Sequence, residues 1–163
     1  MAPEAGSVKM RNIINKGITE EHVFNAIELA AAAGMKNIKL YYMLGLPGEA
    51  DSDIEEMIAM IGRVREKMDA ALNKGDLIIS VNGFIPKPFT PFQWSPLCDV
   101  KTLKRRFKML ETAFKKAKHI QVQTESLKET VLQAVLARGD RRIGAALLEA
   151  FHSCLLYTSP SPR

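Results

Sequence analysis

The stretch Lys36-Asn-Ile-Lys-Leu-Tyr-Tyr-Met-Leu-Gly-Leu-Pro-Gly-Glu49 decides the fold. Its first half is apolar almost throughout and predicts a parallel strand over 38–44, covered on both faces. A Gly-Pro-Gly turn with an acid, Glu49, then leads straight into a long helix. In α/β proteins small ligands sit at such junctions, because backbone N–H groups and the helix N-terminus point at them. Two segments of similar character flank it: Ala2-Pro-Glu-Ala-Gly-Ser7 before, and Pro86-Lys-Pro-Phe-Thr-Pro-Phe-Gln-Trp94 after. The three together predict strand-to-helix junctions lining one mouth.

Working outward, Ser7 can cap a short helix to about Asn15, stopped by Lys16-Gly17. Thr19 is the next N-cap, with Glu20 and Glu21 favoured by the helix dipole and Ile18 and Val23 spaced as a hydrophobic staple. Gly34 closes that helix. Beyond Glu49, Ser52 and Glu55 read as a capping box for a helix with the stripe Ile54, Met57, Ile58, Ile61, Val64, Met68 and Leu72. Asn73-Lys-Gly75 stops it, and Leu77–Val81 predicts a second buried strand. The Pro-rich loop 86–96 is stiff and extended, because its prolines lack N–H donors. A basic helix is expected over 100–118, with the stripe Leu103, Phe107, Leu110, Phe114 and Ala117. A short strand over 120–123 comes next, then helices over 126–138 and 141–152 hinged at Gly139-Asp140, with Asp140 as a cap.

Alternating elements with short connections mean a parallel sheet with crossover helices. There are too few strands to close an eight-stranded barrel, which takes about 250 residues. The expected fold class is α/β, a partial (β/α) barrel with parallel strands followed by C-terminal helices. Residues 1–123 form the barrel portion and 124–153 a helical extension. Residues 154–163 have no periodicity and are read as a non-native tail. The chain is accordingly expected to be a fragment.

Apolar residues make up 47% of the chain and charged residues 25%, which fits a globular protein. No apolar run approaches a membrane span, and the N-terminus has no signal or transit pattern, so no membrane is expected and the cytoplasm is the default location. Cys98 and Cys154 are the two cysteines, too few for a disulfide framework or a metal-spaced cluster. A net charge of +5 permits an anionic ligand or RNA without requiring either.

Each motif has two readings. Gly45-Leu-Pro-Gly-Glu49 is either a tight connection or a place where Gly45 and Gly48 let backbone approach a ligand, with Glu49 accepting from a hydroxyl or amine. Glu4 is either a surface acid or a rim carboxylate for ribose hydroxyls or an ammonium. Lys16 is either a solvated helix-end cation or an anion contact. Phe89, Phe92 and Trp94 either plug the core or make a stacking wall on a rigid loop. The basic helix is either a solvated face or an RNA contact. The three histidines have no metal-ligand spacing, and no Ser/His/Asp order or Walker loop is present.

Taken in order, these motifs resemble the radical S-adenosylmethionine (SAM) superfamily, and within it the later half of the radical domain of cobalamin-binding-domain radical SAM proteins. Ala2–Ser7, Ile14–Thr19, Lys36–Tyr41, Gly45–Glu49, Pro86–Trp94 and Arg138–Gly144 carry the resemblance, which spans roughly residues 2–152. It implies a partial barrel of βα units, of which this chain supplies the fourth to sixth strands and the elements after them. It implies that Glu4 and Ser7 contact the ribose or methionyl part of SAM and that Lys16 pairs with its carboxylate. It places Leu44, Gly45, Gly48 and Glu49 near the adenine, with Phe84 and Pro86 closing over adenine and substrate. The superfamily's CxxxCxxC loop for a [4Fe-4S] cluster is absent here, as is a cobalamin domain. The resemblance therefore implies SAM for this chain, a cluster and optionally cobalamin for the full-length parent, and the remainder of that parent as partner. Two rivals stand beside it: a nucleotide- or phosphate-binding α/β domain, and an RNA-binding module using residues 100–118.

Overall fold

The computed structural model describes residues 1–71 and 74–153. Leu72 and Asn73, expected at the end of a helix, and the tail 154–163 with Cys154 lie outside the described residues. Three strands, β1 (Ile38–Leu44), β2 (Leu77–Gly83) and β3 (Ile120–Thr124), form one sheet in the order β1-β2-β3. Both pairings are parallel, with Leu44 opposite Gly83 and Val81 opposite Thr124. The N-terminal segment lies along the other edge of β1. Glu4 bridges Tyr42 in parallel, its N–H donating to Tyr41 O (3.1 Å) and its carbonyl accepting from Met43 N–H (2.8 Å).

The helices are α1 (Val8–Ile13), α2 (Glu20–Ala32), α3 (Asp51–Ala70), α4 (Val100–Phe114), α5 (Leu127–Arg138) and α6 (Arg142–His152). The order and class are those expected from the sequence: mixed α/β, parallel strands, helices between them. Local cap chemistry explains several ends. Ser7 accepts from Met10 N–H to start α1. Asn15, at φ 52°, stops it, with Lys16 N–H reaching back to Arg11 O. Gly34, at φ 79°, ends α2 in the same way, Met35 N–H bonding Ala30 O at 3.0 Å.

Three expectations are corrected. The Ser52–Glu55 box does not form. Ala50 is the N-cap of α3, and the Asp53 carboxylate accepts from its N–H at 2.7 Å. The basic helix ends at Phe114 rather than Lys118, because the chain must turn through His119, at φ 59°, to enter β3. Finally, among the described residues β1 is covered on one face only. Ile38, Leu40, Tyr42 and Leu44 join Leu77, Ile79 and Val81 in the core beneath α2, α3 and α4. The other face carries Lys39, Tyr41, Met43, Ile78, Ser80, Asn82, Gln121 and Gln123, all half-buried or exposed. The Lys39 ammonium spans that face, 5.2 Å from the Tyr41 ring centroid and bonded to Gln123 Oε1 at 3.2 Å. This side is open because the crossover helices all pack on its opposite.

Candidate functional site

Parallel, in-register strands put the segment after Glu4, the loop after Leu44 and the loop after Gly83 on one rim. Phe84 N–H bonds Leu44 O at 2.7 Å, which ties two of these exits together. On the open face beside the rim is a hollow of about 520 Å³, lined among others by Glu4, Tyr41, Met43, Asn82, Phe84, Lys87, Glu125 and Gln133. That volume is in the range of small-molecule sites.

The loop bearing Glu4 is held from beneath. Arg11 is 2% exposed and donates from Nη1 to Ala5 O (3.1 Å) and Gly6 O (2.6 Å). Gly6 has to be glycine, since a Cβ there would lie 2.1 Å from Met57 Cβ. Ser7 is buried. Its hydroxyl donates to Asp53 Oδ1 (2.7 Å), and Lys9 Nζ bonds Asp53 Oδ2 (2.8 Å). Burial pushes the Asp53 carboxyl up, but Lys9, the Ala50 amide and the Ser7 hydroxyl outweigh it and hold the group below its usual range. Glu4 itself has φ 68° and pairs with Lys16 Nζ at 3.4 Å, both side chains partly exposed.

The structure thus brings Glu4 and Phe84 to the hollow, while Lys16 lines a neighbouring hollow with Ala2, Ile18 and His22 and reaches Glu4 from there. Leu44, Gly45, Gly48 and Glu49 sit behind it. Leu44 is in the core. Gly45, at φ 88°, leaves room for Cys98, whose Cβ would be 2.8 Å from an added Cβ. Glu49 accepts from Gly45 N–H (2.6 Å) and from Arg106 Nη1 (2.8 Å). Burial pushes its carboxyl up to about 7, against the pull of the Gly45 amide and Arg106. Pro86 is buried. The aromatic loop splits: Phe92 meets Phe84 edge-on at 5.6 Å, while Phe89 (99% exposed) and Trp94 (87%) face solvent. The sequence reading missed Arg11, Asn82 and Glu125. Glu125 had a signal, an acid directly after a short strand.

Residues 1–61 match the Radical SAM superfamily model. The matched segment contains the Glu4 loop, α1, α2, β1 and half of α3. Members of that superfamily in general use SAM and a [4Fe-4S] cluster. An uncharacterized protein of Methanocaldococcus jannaschii is 40% identical over 147 residues, 90% of this chain and 31% of the relative. The chain therefore spans about a third of the length of the curated relative it matches. No solved structure matches it. Among the described residues no helix is long and apolar enough to cross a membrane.

The residues present fit SAM and do not fit the cluster. Glu4 borders a nucleoside-sized hollow and its ion-pair partner Lys16 lines the neighbouring one, an acid and a base of the kinds a zwitterionic amino acid requires. An iron–sulfur cluster needs several thiolates. Cys98 is packed against Gly45 with its thiol pushed up by burial, and Cys154 is outside the described residues. Among the described residues no group of three His, Cys, Asp or Glu is placed to hold a metal ion.

Proposed function

We propose that this chain forms the SAM-binding side of a radical SAM barrel, with cluster ligands supplied by protein outside these residues. The observation that carries this reading is the common rim of the Glu4, Leu44 and Gly83 exits around one hollow, the first two of them inside the matched segment. The Glu4–Lys16 pair is long and partly solvated, so opening it costs little, on the order of 1 kcal/mol or less. The methionyl ammonium and carboxylate would replace each partner in turn: Glu4 receives the ammonium or a ribose hydroxyl, and Lys16 the carboxylate. Phe84, steadied by Phe92, offers an edge and face to the adenine. Ser7, Leu44, Gly45, Gly48, Glu49 and Pro86 act behind these groups, shaping the rim. Cobalamin belongs to the proposal as a further cofactor of the whole protein, and the cytoplasm as its place.

Calorimetry with S-adenosylhomocysteine and with ATP tests the reading. S-adenosylhomocysteine is expected to bind at least tenfold tighter, and Lys16→Met to weaken it several-fold. Equal or tighter ATP binding would favour a general nucleotide site instead. RNA is a second reading, favoured by exposed Trp94 and Phe89 on the loop that precedes the exposed Lys101, Lys104 and Lys108 of α4. It requires poly(U) binding that falls steeply with salt and is lost on neutralising Lys104, Arg105 and Lys108.

A further inference from the structure

We propose that Glu125 marks a second binding position in the same hollow, for a reactant that presents a hydrogen-bond donor, an ammonium or hydroxyl group. The inference rests on the reading of the Glu4 side as the SAM site.

The hollow is longer than one nucleoside contact demands. It runs from Glu4, beside β1, to Glu125, at the end of β3. With strands about 4.8 Å apart, three steps across the sheet amount to about 14 Å. Glu4 and Phe84 account for the near end, with Lys16 paired to Glu4 from the neighbouring hollow. Asn82, Lys87, Glu125 and Gln133 line the far end.

Glu125 is built into place. Its N–H bonds Val81 O at 3.1 Å, which extends the β2–β3 ladder by one residue and fixes the backbone. Gln133 Nε2 donates to Oε1 at 2.5 Å, and Thr130 Oγ1 approaches Oε2 at 3.4 Å. Both come from α5, which docks on the end of β2. Thr130 is fully buried there, and a Cβ on Gly83 would lie 2.5 Å from its Cγ2. The side chain is therefore aimed by a packed element.

Its charge is not answered. Among the described residues no Lys, Arg or His nitrogen lies within ion-pair distance of Glu125. Gln133 and Thr130 each use one lone pair on one oxygen, and an ionised carboxylate has about four such sites. The remaining acceptors border the hollow. A group placed against those acceptors must donate, as an ammonium or a polyol does and a carboxylate or phosphate does not, although Lys87 lines the same end. Asn82, on the adjacent strand, can donate to or accept from the same ligand.

The test is an NMR titration of the full chain with putrescine, xylitol and succinate as probes, each with and without S-adenosylhomocysteine. Putrescine or xylitol is expected to shift the amides of Glu125, Gln133 and Asn82 saturably, and which of the two does so tells an ammonium from a hydroxyl ligand. Glu125→Gln should weaken that probe at least tenfold and leave S-adenosylhomocysteine affinity unchanged, with an otherwise superimposable spectrum. The proposal falls if neither donor probe shifts these amides, if succinate shifts them as strongly, or if the Gln variant binds as well. S-adenosylhomocysteine failing to bind the unaltered chain would instead sink the SAM reading, a result read from Glu4 and Lys16 rather than from Glu125.

Discussion

Glu49 joins two distant parts of the chain through one carboxylate. Its side chain is 1% exposed, and Arg106, 7% exposed, reaches it while also donating to Glu49 O (2.7 Å) and Asp51 Oδ1 (3.3 Å). Because burial raises the folded-state value to about 7 from 4.5, the folded protein holds this proton more tightly than the unfolded chain. Glu49's contribution to stability is thus fully present below about 4.5 and lost as pH rises toward 7. Urea midpoints taken between those pH values should fall for the unaltered chain, and Glu49→Gln should flatten that decline. An undiminished slope in the Gln variant contradicts the assignment. Asp53, held low, acts the other way at more acid pH, where its protonation removes stability. The acid after Gly-Pro-Gly was legible in the sequence; its partner was not. Arg106 lies 57 residues away inside a run of cations, and only its place on the helix face, beside Leu103, Phe107 and Leu110, separates it from exposed Lys104 and Arg105.

Elements were legible where their ends are set by neighbouring residues. Thr19 was readable as a cap because its hydroxyl bonds His22 N–H, three residues on; the return bond from Thr19 N–H to His22 Nδ1 was missed because His is an unusual third residue for a capping box. The start of α3 was misplaced by two residues, since Ser52 and Asp53 both suit a first turn and only tertiary pull from Ser7 and Lys9 decides for Asp53. Helix α6 marks the limit of periodicity. It forms as expected, yet no residue of it is buried, and Leu147, Leu148 and Phe151 are each about half exposed. A helix with no fully buried residue, only Ile143 and Ala150 half-buried, adds little to the fold, so a chain ending at Gly139 should lose less than about 1 kcal/mol, a Tm fall of no more than about 5 °C. A larger fall in a thermal melt would mean that α6 packs on the sheet domain in solution.

At the scale of the molecule, the sheet is open where an apolar reading of β1 expected it closed. Tyr41 and Met43 are apolar enough to hide the period-two alternation that Lys39, Ser80, Asn82 and Gln123 reveal once the register is known. Among the described residues β3 pairs with β2 alone. His119 O accepts from Leu77 N–H, and Glu125 N–H donates to Val81 O, so the odd-numbered residues of β3 face β2. Parallel pairing then turns the N–H groups of Ile120, Val122 and Thr124 to the outer edge. Such an edge is a template for another strand unless it is covered. Hydrogen exchange reads this residue by residue. In a monomer with a free edge, Gln121 and Gln123 amides should be protected and Val122 should exchange at least a hundredfold faster than either. The contrast should hold on dilution. Equal protection of Val122 and Gln123 that fades as the protein is diluted would show the β3 edge paired between copies, and equal protection at every concentration would place another strand of the chain itself on that edge.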